Sequence, residues 1–358
     1  MNQHKPTKAK EQGGNKPRSI SNDSKPVTLK DVAQRAHTSV STVSLVMNNK
    51  KVSRISPEVR EKVMESIHAL GYRPNAMAQN LVRGYSQFIG LVTDSIATTP
   101  FAGQIIHGAQ NAAWEQGYVL LIANTEGNQS LEDEAIRMFL RYKVRGIAFS
   151  TWYHHPIEVP KSLDNVRTVL VNCFGNRKNS PLAIVPDEIQ GGRTATQLLL
   201  ERGHTKIAFV NTRADSPAKT GRLEGYKQAL KESGITFDPS LTFEVEPNQE
   251  GGRSVARRVK DSGATGVFCH NDRVAMGLYD ELQRGGSRIP DDISIVGFDD
   301  QEIISAHLAP PLTTVALPHY QLGYEGVKAI LNEDAPTSGK QLVVCPPVMR
   351  ASVATNWQ

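Results

Sequence analysis

From Gln87 onward the chain repeats one rhythm: a short, almost continuously apolar run, then a longer amphipathic stretch, then another apolar run. Phe88–Val92, Tyr118–Ile122, Gly146–Phe149 and Thr168–Val171 are such runs, and Ile207–Val210, Gly266–Cys269 and Ile293–Phe298 continue the series. Strands that are apolar on both sides of the pleat are buried on both faces, as in parallel sheets covered by helices. Between them, Ala102–Gln116, Leu131–Tyr142, Leu223–Ser233 and Val274–Arg284 are long enough to be right-handed crossover helices. The alternation implies about ten strands, too many for one comfortable open sheet. Residues 87–358 are therefore expected to form two doubly wound α/β subdomains, placed at about 87–184 with 289–317 and at 185–288 with 318–358.

The first part of the chain follows another pattern. Thr28 is placed as a helix N-cap, and Leu29, Val32, Ala33 and Ala36 recur at helical spacing behind it. A break at His37-Thr38-Ser39 leads into Val40–Met47, where Val43, Val46 and Met47 repeat the spacing until Asn48-Asn49-Lys50-Lys51. A third helix starts at Ser56 with Pro57 in its first turn, runs through Val59, Val63, Ile67 and Leu70, and stops at Gly71. Residues 28–74 thus read as three helices with a tight turn between the first two, a helix-turn-helix. The second helix opens Ser39-Val40-Ser41-Thr42-Val43-Ser44, short hydroxyl side chains able to approach phosphates and base edges closely. Charge agrees: residues 1–86 carry 15 Lys and Arg against 6 Asp and Glu, whereas residues 87–358 carry 26 against 30. A basic head before a mildly acidic body suits a phosphate-bearing partner. Residues 1–27 hold hardly an apolar group and read as a solvated basic tail, while Asn75–Arg83, behind Pro74, is a helix only about two turns long that is marginal alone. Residues 75–86 accordingly read as a short helix and linker.

Thr28-Leu-Lys-Asp-Val-Ala33, Ser39–Ser44, Gly71-Tyr-Arg-Pro-Asn75-Ala and Ile89-Gly-Leu91 resemble the lactose-repressor (LacI/GalR) family of bacterial transcription regulators, and the likeness runs from residue 28 to 356. The resemblance implies a helix-turn-helix head, a hinge helix and a periplasmic-binding-protein-like body. It also implies a homodimer on a near-palindromic DNA operator, controlled by a small effector of the carbohydrate or nucleoside kind. Val40 and Ser41 then face bases, and Ser39, Thr42, Ser44 and Asn48 face phosphates. Tyr72, Asn75 and Ala78 join this surface, and Leu81 matches the leucine that wedges into the minor groove and bends the duplex. Three positions depart from the family's pattern. His37 stands where Gly is usual, at a turn needing positive φ, which His tolerates better than branched residues. Leu45 stands where many members carry Arg, so a thymine methyl becomes its target. The loop Lys50–Ile55 is longer, and its Lys50, Lys51 and Arg54 are expected to touch the DNA backbone.

In the body, polar residues just after buried strands are the candidates for a ligand cleft, because strand C-termini and helix N-termini converge there. Asn172 follows Thr168–Val171, Asn271 and Asp272 follow Gly266–His270, and Arg222 lies near a helix start. By resemblance these match effector-binding positions, with Phe101 stacking on a ring face; Asp272 doubles as a helix N-cap candidate. Many relatives carry Asp at Asn172, so the effector's hydrogen bonds or charge are expected to differ. No phosphate-loop, dinucleotide or nucleophile-elbow motif occurs, so neither catalysis nor a cofactor is expected. His154-His155 reads as part of a surface loop rather than a metal site, and Cys173, Cys269 and Cys345 as reduced core residues. Apolar runs stop well short of the roughly 18 residues of a membrane span and no secretory signal is read, so the expected location is the cytoplasm. An extracytoplasmic sugar receptor shares the body's architecture but lacks a basic head. A family member controlled by a protein coeffector is the other alternative.

Overall fold

A computed structural model describes residues 27–47, 55–72, 85–99 and 102–356, and the chain divides into two units, residues 1–79 and 80–358. In the first, helices α1 (Leu29–Arg35), α2 (Val40–Met47) and α3 (Pro57–Leu70) follow the apolar spacing. Val32, Ala33, Ala36, Val43, Val46 and Val63 meet in one core, with Leu29, Ile67 and Leu70 packed on it. The ends are fixed by chemistry already visible in the chain. The Asp31 carboxylate accepts the Thr28 backbone N–H at 2.7 Å and its hydroxyl at 2.8 Å. Ser56 Oγ accepts the Val59 N–H at 3.4 Å, and Gly71 closes α3 at φ 61°. His37 takes φ 52°, the left-handed value expected at that turn.

The described residues of the second unit form two six-stranded sheets. The first contains β1 (Phe88–Thr93), β2 (Val119–Asn124), β3 (Ile147–Ile157), β4 (Thr168–Gly175), β5 (Leu182–Pro186) and β11 (Lys340–Val343), in the order β11-β5-β4-β3-β1-β2 and parallel throughout. The second contains β6 (Ile207–Thr212), β7 (Thr242–Val245), β8 (Gly266–Cys269), β9 (Ser294–Asp299), β10 (Thr313–Ala316) and β12 (Pro347–Val348), in the order β12-β10-β9-β8-β6-β7, with only β12 antiparallel. Helices cover both faces of each, which is why the strands are apolar on both sides. On the first sheet, α4 (Gly103–Glu115) and α11 (His319–Leu331) bury Ile105, Ala109, Leu322 and Ile330, while α5 (Gln129–Arg141) buries Ile136 and Phe139 against the other side. On the second, α6 (Glu188–Leu200) and α7 (Pro217–Glu232) cover one face, α8 (Gln249–Asp261) and α9 (Asp272–Arg284) the other, and α10 (Glu302–Ser305) is one short turn after β9.

The subdomain segments differ from those expected. Residues 289–317 carry β9 and β10, which extend the second sheet beside β8, whereas 318–343 return to the first, where α11 packs and β11 pairs with β5. The physical reason is that an apolar strand suits either sheet; pairing between distant strands decides, and local pattern does not encode it. The chain crosses between the halves at 186–188, 317–319 and 343–347. His154 and His155 also differ from expectation. They lie not in a loop but on β3, which continues past an irregularity between Ser150 and His155.

Candidate nucleic-acid face and ligand cleft

On the head, Ser39, Val40 and Ser41 are exposed at the start of α2, while Val43 turns inward. Ser39 Oγ accepts the Thr42 N–H at 3.1 Å and lies 2.7 Å from Ser41 Oγ and 2.9 Å from Thr42 Oγ1. One hydroxyl thus caps the helix and orders two neighbours into a polar edge, at the end where the helix dipole is positive. Thr42, Ser44 and Leu45 are partly exposed, and no acidic residue lies in the first turn of α2. Tyr72 packs against the head's core, so its ring serves folding first. Asn48, Arg54, Asn75, Ala78 and Leu81, and in the body Phe101, lie outside the described residues.

In the body, a cleft of about 330 Å³ opens between the halves at the C-terminal ends of the strands. Trp152, Tyr153, His154 and Asn172 line it from the first sheet; Thr212, Arg222, His270, Asn271, Arg273 and Asp299 line it from the second; Glu188 and Leu317 lie at the crossings. Its volume falls in the ordinary range for small-molecule sites, roughly 300–1,000 Å³. The centre is Glu188. Its Oε2 accepts from Arg222 Nε at 2.8 Å, and its Oε1 accepts from His154 Nδ1 at 3.3 Å, so one carboxylate ties β3 of the first half to α7 of the second. Burial opposes its charge, yet Arg222 and His154 hold the carboxyl down at about 2. Arg222 is itself buried, stacks on the Phe298 ring at 3.6 Å, donates to the His270 carbonyl and lies 3.7 Å from Asp299 Oδ1. Burial pushes Asp299 up to about 6 against the pull of Arg222 and the hydrogen bond from Gln301.

Of the effector candidates, Asn172, Arg222 and Asn271 line the cleft. Asn172 sits at φ 59° and donates from Nδ2 to the Thr151 carbonyl at 3.0 Å. Asn271 is the N-cap of α9, its Oδ1 accepting the Val274 N–H at 2.8 Å. Asp272 differs from the expected role: it is fully buried outside the lining, with Oδ2 accepting the Gln301 N–H and Oδ1 the Thr314 hydroxyl, each at 2.7 Å. At the first position of α9, its carboxyl turns into the second half and ties β10 to the turn that follows β9. It is not the N-cap either. Sequence reading missed Glu188, Trp152, Tyr153, His154, Arg273 and Asp299. The Asp187 N-cap that starts α6, and the polar and aromatic residues directly after the apolar start of β3, were the available signs.

The chain matches the family model "Bacterial regulatory proteins, lacI family" over residues 28–75 and a "Periplasmic binding protein-like domain" over residues 196–353. It is 34% identical to the HTH-type transcriptional repressor PurR of Vibrio atlanticus, over 85% of this chain and 91% of the relative. To the ribose operon repressor of Escherichia coli it is 31% identical, over 90% and 98%. Among solved structures, the lac repressor dimer bound to operator and the anti-inducer ONPF superposes with a TM-score of 0.71 at 28% identity, over 92% of this chain and 100% of that one. A complex of the regulator CelR with cellobiose gives a TM-score of 0.62 at 27% identity, over 91% and 99%.

Proposed function

The chain belongs to the LacI family of bacterial regulatory proteins, and on that premise we propose a transcriptional repressor that binds a near-palindromic operator as a homodimer and is controlled by an effector in the body's cleft. The observation that carries the control is the cleft itself. Its walls come from both halves, and Glu188 and Leu317 in its lining lie where the chain crosses between them. A molecule held there interacts differently with different relative positions of the halves, and only such a difference in affinity shifts a conformational equilibrium. Asn172, Arg222 and Asn271 from the sequence reading, joined by Trp152, Tyr153, His154 and Arg273, form the effector-binding set. Ser39, Val40, Ser41, Thr42, Ser44 and Leu45 form the DNA-reading set, and Leu81 is the minor-groove wedge. The protein acts without catalysis, in the cytoplasm where its DNA lies; no helix among the described residues is long and apolar enough to cross a membrane.

The test is to incubate the full chain with fragmented DNA from its source at about 0.15 M salt, where nonspecific attraction is largely screened, and to sequence what stays bound. A recovered near-palindrome supports paired heads, and the genes beside it nominate the effector. Uniform recovery, repeated with sugars and nucleosides present, removes the regulator reading. On the recovered site, Leu81→Ala weakens operator binding and spares nonoperator binding, and equal loss on both removes the wedge.

A further inference from the structure

Among the described residues, the cleft holds one cation with no ion-pair partner at contact distance, Arg273, which shares only the field of Asp299 with Arg222. Arg222 is met by Glu188 at 2.8 Å and Asp299 at 3.7 Å. Lys219, at the edge, reaches Asp215 at 3.4 Å and Glu244 at 3.2 Å. Arg273 takes part in no hydrogen bond or ion pair among the described residues, although its Nε is fully buried. It occupies the first turn of α9, a 13-residue helix, where the dipole already presents positive charge and a basic side chain is disfavoured. Beside it, His270 is 7% exposed, lines the same cleft, and has no partner for Nδ1. Burial holds that imidazole well below its usual range, so it is neutral and has an N–H to give. A buried donor without an acceptor costs roughly 1–3 kcal/mol, and more when charged. An acceptor arriving from outside removes that cost.

We propose that the effector is an anion, a small carboxylate or phosphate ester, whose charged group is received by Arg273, His270 and the first turn of helix Asp272–Arg284. The proposal rests on the cleft being the effector site and adds the chemical class of its occupant. Glu188 does not repel such a ligand strongly, because Arg222 and His154 already hold its charge. A neutral polyol satisfies hydroxyl partners but leaves Arg273 with only Asp299, which already faces Arg222 at 3.7 Å, to balance its charge.

The experiment follows the thermal midpoint of the full chain at fixed ionic strength as inorganic phosphate, or separately acetate, replaces chloride, with xylitol as the neutral probe. A saturable rise is expected with phosphate or acetate, and the responding ion identifies the phosphate-ester or the carboxylate class. Arg273→Gln should weaken the apparent affinity at least tenfold, Arg273→Lys should restore most of it, and Arg257→Gln on the exposed face of α8 should leave it unchanged. A linear rise shared by wild type and Arg273→Gln means an adventitious ion only and overturns the proposal. Operator binding in the same solutions separates it from the reading beneath it. Arg273-dependent anion binding that leaves operator affinity untouched keeps the anion site and counts against the cleft as effector site. Xylitol shifting operator affinity equally in wild type and Arg273→Gln keeps the effector site and overturns the anion.

Discussion

Glu188 is ionised in a place where burial alone would keep it neutral, and its two partners come from different elements. Removing one member of a buried pair leaves an uncompensated charge, typically at about 3–5 kcal/mol. Arg222→Met is therefore expected to lower the body's stability by about 3 kcal/mol in urea unfolding, while Arg222→Met with Glu188→Gln recovers most of it. A double variant no more stable than the single would mean that Arg222 acts through Phe298 instead. Two carboxyls of this cluster give opposite pH slopes. Glu188 falls from 4.5 to about 2 on folding, so its contribution is complete above 4.5 and is lost as pH falls toward about 2. Asp299 rises from 3.8 to about 6, so the folded state binds the extra proton and stability is lost as pH rises across that window. Urea midpoints against pH should show Glu188→Gln flattening the acid limb and Asp299→Asn removing the loss between 3.8 and about 6. The cluster was half legible: Arg222 stood out near a helix start, whereas Glu188 lies 34 residues earlier and meets it only after folding.

The elements are joined by helix pairs that approach through glycines on both partners. A Cβ on Gly108 of α4 would lie 1.9 Å from the Tyr320 carbonyl oxygen of α11, and one on Gly323 of α11 would lie 1.9 Å from that of Ile105 in α4. Gly192 and Gly225 make the same reciprocal contact between α6 and α7, and Gly252 and Gly277 between α8 and α9. The obstructing atoms are backbone, so the helices must separate to admit a methyl group. Gly323→Ala is expected to cost about 1–3 kcal/mol in thermal unfolding, the usual range for overpacking. Gly103→Ala, with open space around its Cβ, should be neutral or slightly stabilising. A Gly323→Ala midpoint equal to wild type would show that α4 and α11 are free to part. Helix starts and stops were legible throughout the head because their causes are local: Thr28 with Asp31, Ser56 with Pro57, and Gly71. In the body, β5, β7, β10, β11, β12 and α10 were not picked out because they are short, nor were α6, α8 and α11, whose periodicity is interrupted by these same glycines.

At the scale of the molecule, β2 is an edge strand that exposes Val119 at 47% and Ile122 at 42%, and α5 exposes Leu131 at 54% and Met138 at 45%. An apolar edge of this kind normally has a cover, and a second copy of the chain fits the proposed homodimer. Ile122→Glu is expected to shift the protein from dimer to monomer in sedimentation and to reduce operator binding more than nonoperator binding. A dimer of unchanged strength would place the partner elsewhere. The helix-turn-helix head, the two doubly wound sheets and the polar start of α2 are legible in the chain itself. Each follows from spacing, capping or charge within a few residues. Folding sets which sheet β9, β10, α11 and β11 join, turns Asp272 away from the cleft, and brings Glu188 and His154 together beside it. Those outcomes depend on contacts between residues far apart in the chain, where the energies of pairing and desolvation are set by neighbours that local pattern does not name.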